Sequence, residues 1–105
     1  MNMLAAEINW NDGQVRYWNL DLVDLSRSLE AQADELTEDL AQVVYPGGML
    51  LDIGWYPSMA VDGNFVVTVI RNEDWESPIF KVSCASGNQL QEAIGAAIVA
   101  ASTTV

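Results

Sequence analysis

The residues able to do acid–base, nucleophilic or metal chemistry in this 105-residue chain are almost all carboxylates. Fifteen Asp and Glu stand against four Lys and Arg, giving a formal net charge of −11 at pH 7, and there is no histidine. The missing imidazole excludes His-based triads, His-ligated metal sites and a histidine pH switch. The one cysteine, Cys84, lies in an apolar strand pattern with no histidine to activate it, and there a thiol is inert. The one lysine, Lys81, alternates along the same strand with no serine elbow nearby. Glycines at Gly47-Gly48, Gly54, Gly63 and Gly87 match neither the dinucleotide fingerprint nor the phosphate loop. No Asp-x-Asp-x-Asp-Gly calcium loop occurs. No cofactor, metal or catalytic residue is therefore expected, and the chain is not read as an enzyme.

Asp52 is the carboxylate that qualifies this reading, because it interrupts an apolar strand, LLDIGWY. Buried in a central strand, it would need hydrogen bonds or a charged partner. The plainer expectation is that Asp52 faces solvent at a strand edge or bonds a neighbouring turn. A glycosidase-like or metal-assisted site would need a second carboxylate across the fold, for instance Asp62 or Asp74.

Two acidic clusters suggest contact surfaces instead. The first is Glu30, Asp34, Glu35, Glu38 and Asp39. On a helix, Glu30/Asp34, Asp34/Glu38 and Glu35/Asp39 are like-charge pairs four residues apart, each costing about 0.2–0.5 kcal/mol. No Lys or Arg lies between residues 28 and 70 to relieve them. They form either a solvated face that aids solubility or a surface whose repulsion a cationic partner relieves. The second cluster is Glu73-Asp74-Trp75-Glu76, with Asp62 expected close by and Trp55-Tyr56 at the end of an earlier strand. A tryptophan framed by acids resembles an interface anchor, with the carboxylates receiving Arg or Lys. The alternative is that Trp75 folds back over the core. Trp10 and Trp18 are expected in the core. The candidate contact residues are thus Asp34, Glu35, Glu38, Asp39, Asp62, Glu73, Asp74, Trp75 and Glu76.

The same charge excludes direct nucleic-acid binding by phosphate neutralisation and disfavours an anionic membrane surface. A basic protein is the complementary partner, met at about one to one. Basic proteins that need a small stoichiometric blocker are often nucleases, whose phosphate sites an acidic face can occupy.

Single-domain size (11.5 kDa), half hydrophobic residues and 18% charged residues point to one folded unit over residues 1–105. One cysteine cannot close an intramolecular disulfide. The start, MNMLAAEINW, has no signal-peptide pattern, and the longest apolar-or-glycine run, Ala93–Ala101, is too short for a membrane span. A cytoplasmic location is expected.

Asn11-Asp12-Gly13 between Glu7–Trp10 and Gln14–Trp18 predicts a β-hairpin. Apolar residues at Leu22, Leu25, Leu29, Ala33, Leu36, Leu40 and Val43 predict one long acidic helix, capped at Asn19 or Asp21 and ended by Tyr45-Pro46-Gly47-Gly48. Strands are expected at Met49–Tyr56, Phe65–Arg71 (central and two-sided) and Ile79–Cys84. Ser86 with Gln89 predicts a capping box opening a C-terminal helix striped by Leu90, Ala93, Ile94, Ala97, Ile98 and Ala101. Ser102–Val105 is expected to fray. The order β-β-α-β-β-β-α makes an α+β domain with an antiparallel sheet of about five strands, its helices on one face.

Size, charge and the segment Gly54-Trp55-Tyr56, Asp62-Gly63-Asn64-Phe65 through Ile70 and Glu73-Asp74-Trp75-Glu76 with Pro78 resemble the small acidic immunity proteins of bacterial toxin–immunity systems, including contact-dependent growth inhibition. The resemblance implies a cytoplasmic toxin inhibitor that binds the toxin domain of its own system; many such domains are RNases or DNases. The competing expectations are a non-inhibitory adaptor or effector chaperone, which would bind extended peptides, and a carboxylate-based or metal-assisted enzyme, which Asp52→Asn would disable.

Overall fold

The computed structural model describes residues 3–102 and has an α+β architecture. Five strands, β1 (Gln14–Trp18), β2 (Ala41–Tyr45), β3 (Met49–Tyr56), β4 (Asn64–Arg71) and β5 (Phe80–Cys84), form one antiparallel sheet in chain order. One helix, α1 (Gly87–Ser102), packs on β3, β4 and β5.

Period-two alternation divides each strand between two faces. Met49, Leu51, Ile53 and Trp55 on β3 pair with Arg71, Val69, Val67 and Phe65 on β4. Apart from Arg71, these side chains lie in the core beneath the α1 stripe of Leu90, Ala93, Ile94, Ala97, Ile98 and Ala101. Trp55 and Phe65 meet edge-to-face at 4.9 Å. Each fully buried aliphatic or aromatic side chain here contributes about 1.5–3 kcal/mol. The start of α1 closely follows its expected cap: Gln89 N–H donates to Ser86 Oγ at 3.2 Å, and Gln89 Oε1 accepts from Ala85 N–H at 2.8 Å.

Two expected elements are replaced. The long acidic helix does not form. Leu20–Leu22 and Glu30–Glu35 are short 3-10 turns, and Ala41–Tyr45 is strand β2. A buried side chain explains the change: Gln32 accepts from Asp24 N–H at 2.7 Å and donates to Asp24 O at 2.8 Å and Ser28 O at 3.2 Å. One amide thus satisfies backbone groups that a helix would have bonded in its own ladder. Val43, counted as the last residue of the helical stripe, instead belongs to the alternation Ala41, Val43, Tyr45 facing the core.

The N-terminal hairpin is also absent. Ala5–Glu7 is a 3-10 turn, and β1 pairs with β2. The turn at Asn11-Asp12-Gly13 remains, closed by Gly13 N–H to Trp10 O at 3.0 Å, but Asn11 carries the positive φ of 58°. Gly13 serves a different need, since a Cβ there would lie 2.6 Å from the Tyr45 ring. The strand count of five therefore holds with a different membership, in the order β-β-β-β-β-α. Trp10 is buried in the core, and Trp18 packs against it at 5.4 Å. Of the tail expected to fray, Ser102 ends α1 and residues 103–105 lie outside the described residues.

Gly54 admits the segment that precedes β2. Trp55 N–H donates to Thr37 O at 2.8 Å and Leu40 N–H to Ile53 O at 3.1 Å, which lays Glu38 across Gly54. A Cβ on Gly54 would collide with the Glu38 carbonyl. Gly54→Ala should therefore lower stability by roughly 1–3 kcal/mol in urea unfolding. Gly95→Ala, where a Cβ meets nothing within 4 Å, should raise it by about 0.5–1 kcal/mol as a helix-interior substitution.

Candidate functional site

The face of the sheet opposite α1 carries a polar row across all five strands. The register pairs Tyr17 with Gln42, Gln42 with Asp52, Asp52 with Thr68, and Thr68 with Lys81. An irregularity between Val15 and Tyr17 leaves Arg16 as an extra residue in β1. Such a bulge re-aims side chains, and the Arg16 guanidinium donates to Gln42 Oε1 at 3.1 Å. With its oxygen so engaged, Gln42 presents its amide nitrogen to Asp52 Oδ1 at 3.0 Å.

Asp52 is thus not at a strand edge. It occupies the middle strand with 5% of its surface exposed. Burial pushes its carboxyl pKa up, the Gln42 hydrogen bond pulls the other way, and the Asp39 carboxylate adds to the rise. The surroundings respond in kind. Tyr17 is pushed up to about 12, by burial first and then by Asp52 and Asp39, with Arg16 opposing. Tyr56 is raised by burial, then by Asp52, Glu38 and Asp39. Two phenols and three carboxylates therefore share one strongly negative region around the exposed end of β3.

The contact residues expected from sequence fall at two ends of the sheet. Met59 N–H donates to Leu36 O at 2.6 Å, joining the β3–β4 loop to the segment before β2. The Trp55 indole donates to Ala60 O at 2.8 Å and pins that loop from the core. Asp34, Glu35, Glu38, Asp39 and Asp62, all exposed, consequently gather at one end. Glu73, Asp74, Trp75 and Glu76, also exposed, sit on the β4–β5 loop at the other end, where Asn72 N–H bonds Gly48 O at 2.9 Å. Eight-residue β3 and β4 separate the two ends by roughly 25 Å at ~3.3 Å per residue. Asp62 is therefore remote from the Trp75 loop it was expected to join. Trp75 is 50% exposed and does not fold over the core.

Sequence reasoning grouped Trp55-Tyr56 with the Trp75 loop, whereas both lie at the first end with Trp55 buried, and it missed Met59 and Val61. Tyr56, Met59 and Val61 are 42%, 57% and 59% exposed amid the carboxylates. Met59 holds a positive φ of 59°, unusual for a side chain with no local polar group. The available signal was two large apolar residues, Met59 and Val61, inside the Pro- and Gly-bearing loop that follows Tyr56. The polar row was missed because its members are five single out-of-phase residues, aligned only by the register.

Cys84 is free and buried, its thiol pushed up by burial. Among the described residues, no group of three or more Cys, Asp and Glu is arranged to hold a metal ion, and no helix is long and apolar enough to cross a membrane. No family model, curated protein or solved structure matches the chain.

The raised Asp52 pKa makes a pH-dependent prediction. A carboxyl whose folded pKa exceeds its unfolded value disfavours folding when ionised; that cost is full above the folded pKa, shrinks as pH falls through it and is gone below the unfolded value. Asp52→Asn should therefore raise the melting temperature at pH 7, by about 4–8 °C if on the order of 1 kcal/mol is relieved. The gap between variant and wild type should close in acid, as followed by circular dichroism melts from pH 3 to 8.

Proposed function

We propose that this chain is an immunity-type inhibitor, a cytoplasmic protein that binds the basic toxin domain of its own system, of nuclease type, at about one to one and blocks it. The observation that carries the reading is the end of the sheet where Tyr56, Met59 and Val61 stand exposed among Asp34, Glu35, Glu38, Asp39 and Asp62. Apolar anchors inside a charged rim are the usual composition of a binding hot spot. The uncompensated charge of −11 supports a cationic partner in particular, since it steers encounter and sets orientation. The Trp75 loop offers a second, smaller patch of the same composition. An interface of ordinary size, about 800 Å² per partner, is roughly 30 Å across and reaches from one patch to the other over the open sheet face.

The test is isolation of the partner from producing cells at low salt, then titration of its nuclease activity with this chain. Silencing at one equivalent is the expected result. Capture of a partner that keeps full activity would instead favour a non-inhibitory adaptor. Reversing Glu38, Asp39 and Asp62 to Lys should slow association with the captured domain at least about tenfold while leaving the fold intact. Reversing Glu73, Asp74 and Glu76 to Lys should slow it as well, and unaltered kinetics in that variant would remove the β4–β5 loop from the interface.

A further inference from the structure

Asp52 combines deep burial with incomplete pairing. The Gln42 amide is its one hydrogen-bond donor among the described residues, so its second oxygen receives none. Neither nearby cation neutralises it. Arg16 is engaged with Gln42 Oε1, and Lys81 is two strands away across Thr68, roughly 10 Å at the usual strand spacing. The other charged or titratable groups that act on this region are Tyr17 from β1, Tyr56 from β3 itself, and Asp39 and Glu38 from the segment crossing Gly54. Among the described residues the buried side-chain polar atom without a partner is the Tyr45 hydroxyl, so the second Asp52 oxygen keeps contact with solvent and a ligand can reach it. A largely buried carboxylate without a counter-charge costs stability, and a bound cation relieves that cost. Among the described residues α1 packs on the other face of the sheet, and beyond Gln42, Thr68 and the engaged Arg16 the groups that act on Asp52, Tyr17 and Tyr56 are acids and phenols.

We propose that Asp52, with Tyr56 leaning over Gly54 on the same strand, Tyr17 beyond Gln42 and Asp39 on the segment crossing β3, is the receptor for the guanidinium of one arginine presented by a basic protein partner. The proposal rests on the immunity-type reading above and identifies the open sheet face as the place where the partner anchors. The open oxygen of Asp52 accepts a charge-assisted hydrogen bond from the guanidinium. Asp39 supplies a second carboxylate, and the two phenol rings provide faces on which a planar, weakly hydrated cation stacks. A lysine ammonium offers neither the fork nor the plane, so arginine is the preferred occupant. Gln42, held by Arg16, acts as a positioning residue that fixes the carboxylate through Oδ1 and leaves the other oxygen for the guanidinium.

The test is an NMR titration of the full chain with Nα-acetyl-arginine amide, with the corresponding lysine and citrulline derivatives as probes of fork and charge. Saturable millimolar binding is expected, with the largest shifts at Tyr17, the Gln42 side-chain amide, Asp52 and Tyr56. The lysine derivative should bind several-fold more weakly and the neutral citrulline derivative not at all. Asp52→Asn should weaken arginine binding at least fivefold while remaining folded, and a Glu73→Gln, Asp74→Asn, Glu76→Gln variant should bind as wild type does. Arginine shifts centred on residues 30–37 and 73–76 instead of on Asp52 and its neighbours, or affinity unchanged in Asp52→Asn, would overturn the receptor. Equal binding of lysine would overturn its guanidinium preference. The two levels separate cleanly: a captured and silenced nuclease indifferent to Asp52→Asn defeats the receptor alone, whereas arginine binding at Asp52 without any inhibited partner defeats the inhibitor reading alone.

Discussion

Alternation along β3 is the constraint on which the rest of the structure depends. Met49, Leu51, Ile53 and Trp55 must lie under α1, because a single helix has only one sheet face to cover. The intervening residues, Leu50, Asp52, Gly54 and Tyr56, are thereby committed to the other face. A one-residue slip would put Asp52 into the apolar core and expose Leu51 and Ile53. The register that builds the core therefore also sets Asp52 between Gln42 and Thr68 and brings Tyr56 to the open side.

Electrostatics on that face follow from scarcity of cations. With four Lys and Arg for fifteen carboxylates, most acids have no internal counter-ion to find. Arg16 is linked to Asp52 only through the Gln42 amide, so its charge orients the carboxylate without cancelling it. Glu38 and Asp39 reach the same region because Gly54 lets the chain cross closely over β3. A fold that concentrates unpaired negative charge beside exposed Tyr56, Met59 and Val61 gives up some stability and gains an attractive field for a basic partner.

Much of the β3–β5 half was legible in the sequence, and the reason is physical. Met49–Tyr56 and FVVTVIR are long, β-rich and bounded by Pro and Gly, while Ser86 and Gln89 mark a helix start by direct hydrogen bonding. The first half misled because Leu22 through Val43 carry helical spacing without helical backbone pairing. Gln32 bonds Asp24 across eight residues, and β1 finds β2 rather than a hairpin neighbour, both long-range choices invisible to local periodicity. The acidic residues expected at a contact surface stood out as clustered charges, and the structure leaves them exposed. Their division between two ends of the sheet, and the polar row through Asp52, required the register.

The claim at the centre of this account is that charge on this chain recruits and orients a basic partner. The most direct measurement is the association rate with the captured toxin domain as ionic strength rises from about 50 to 500 mM, where the Debye length shrinks from roughly 14 to 4 Å. The account predicts a fall of at least about tenfold in the association rate with little change in dissociation. An association rate independent of salt would contradict it.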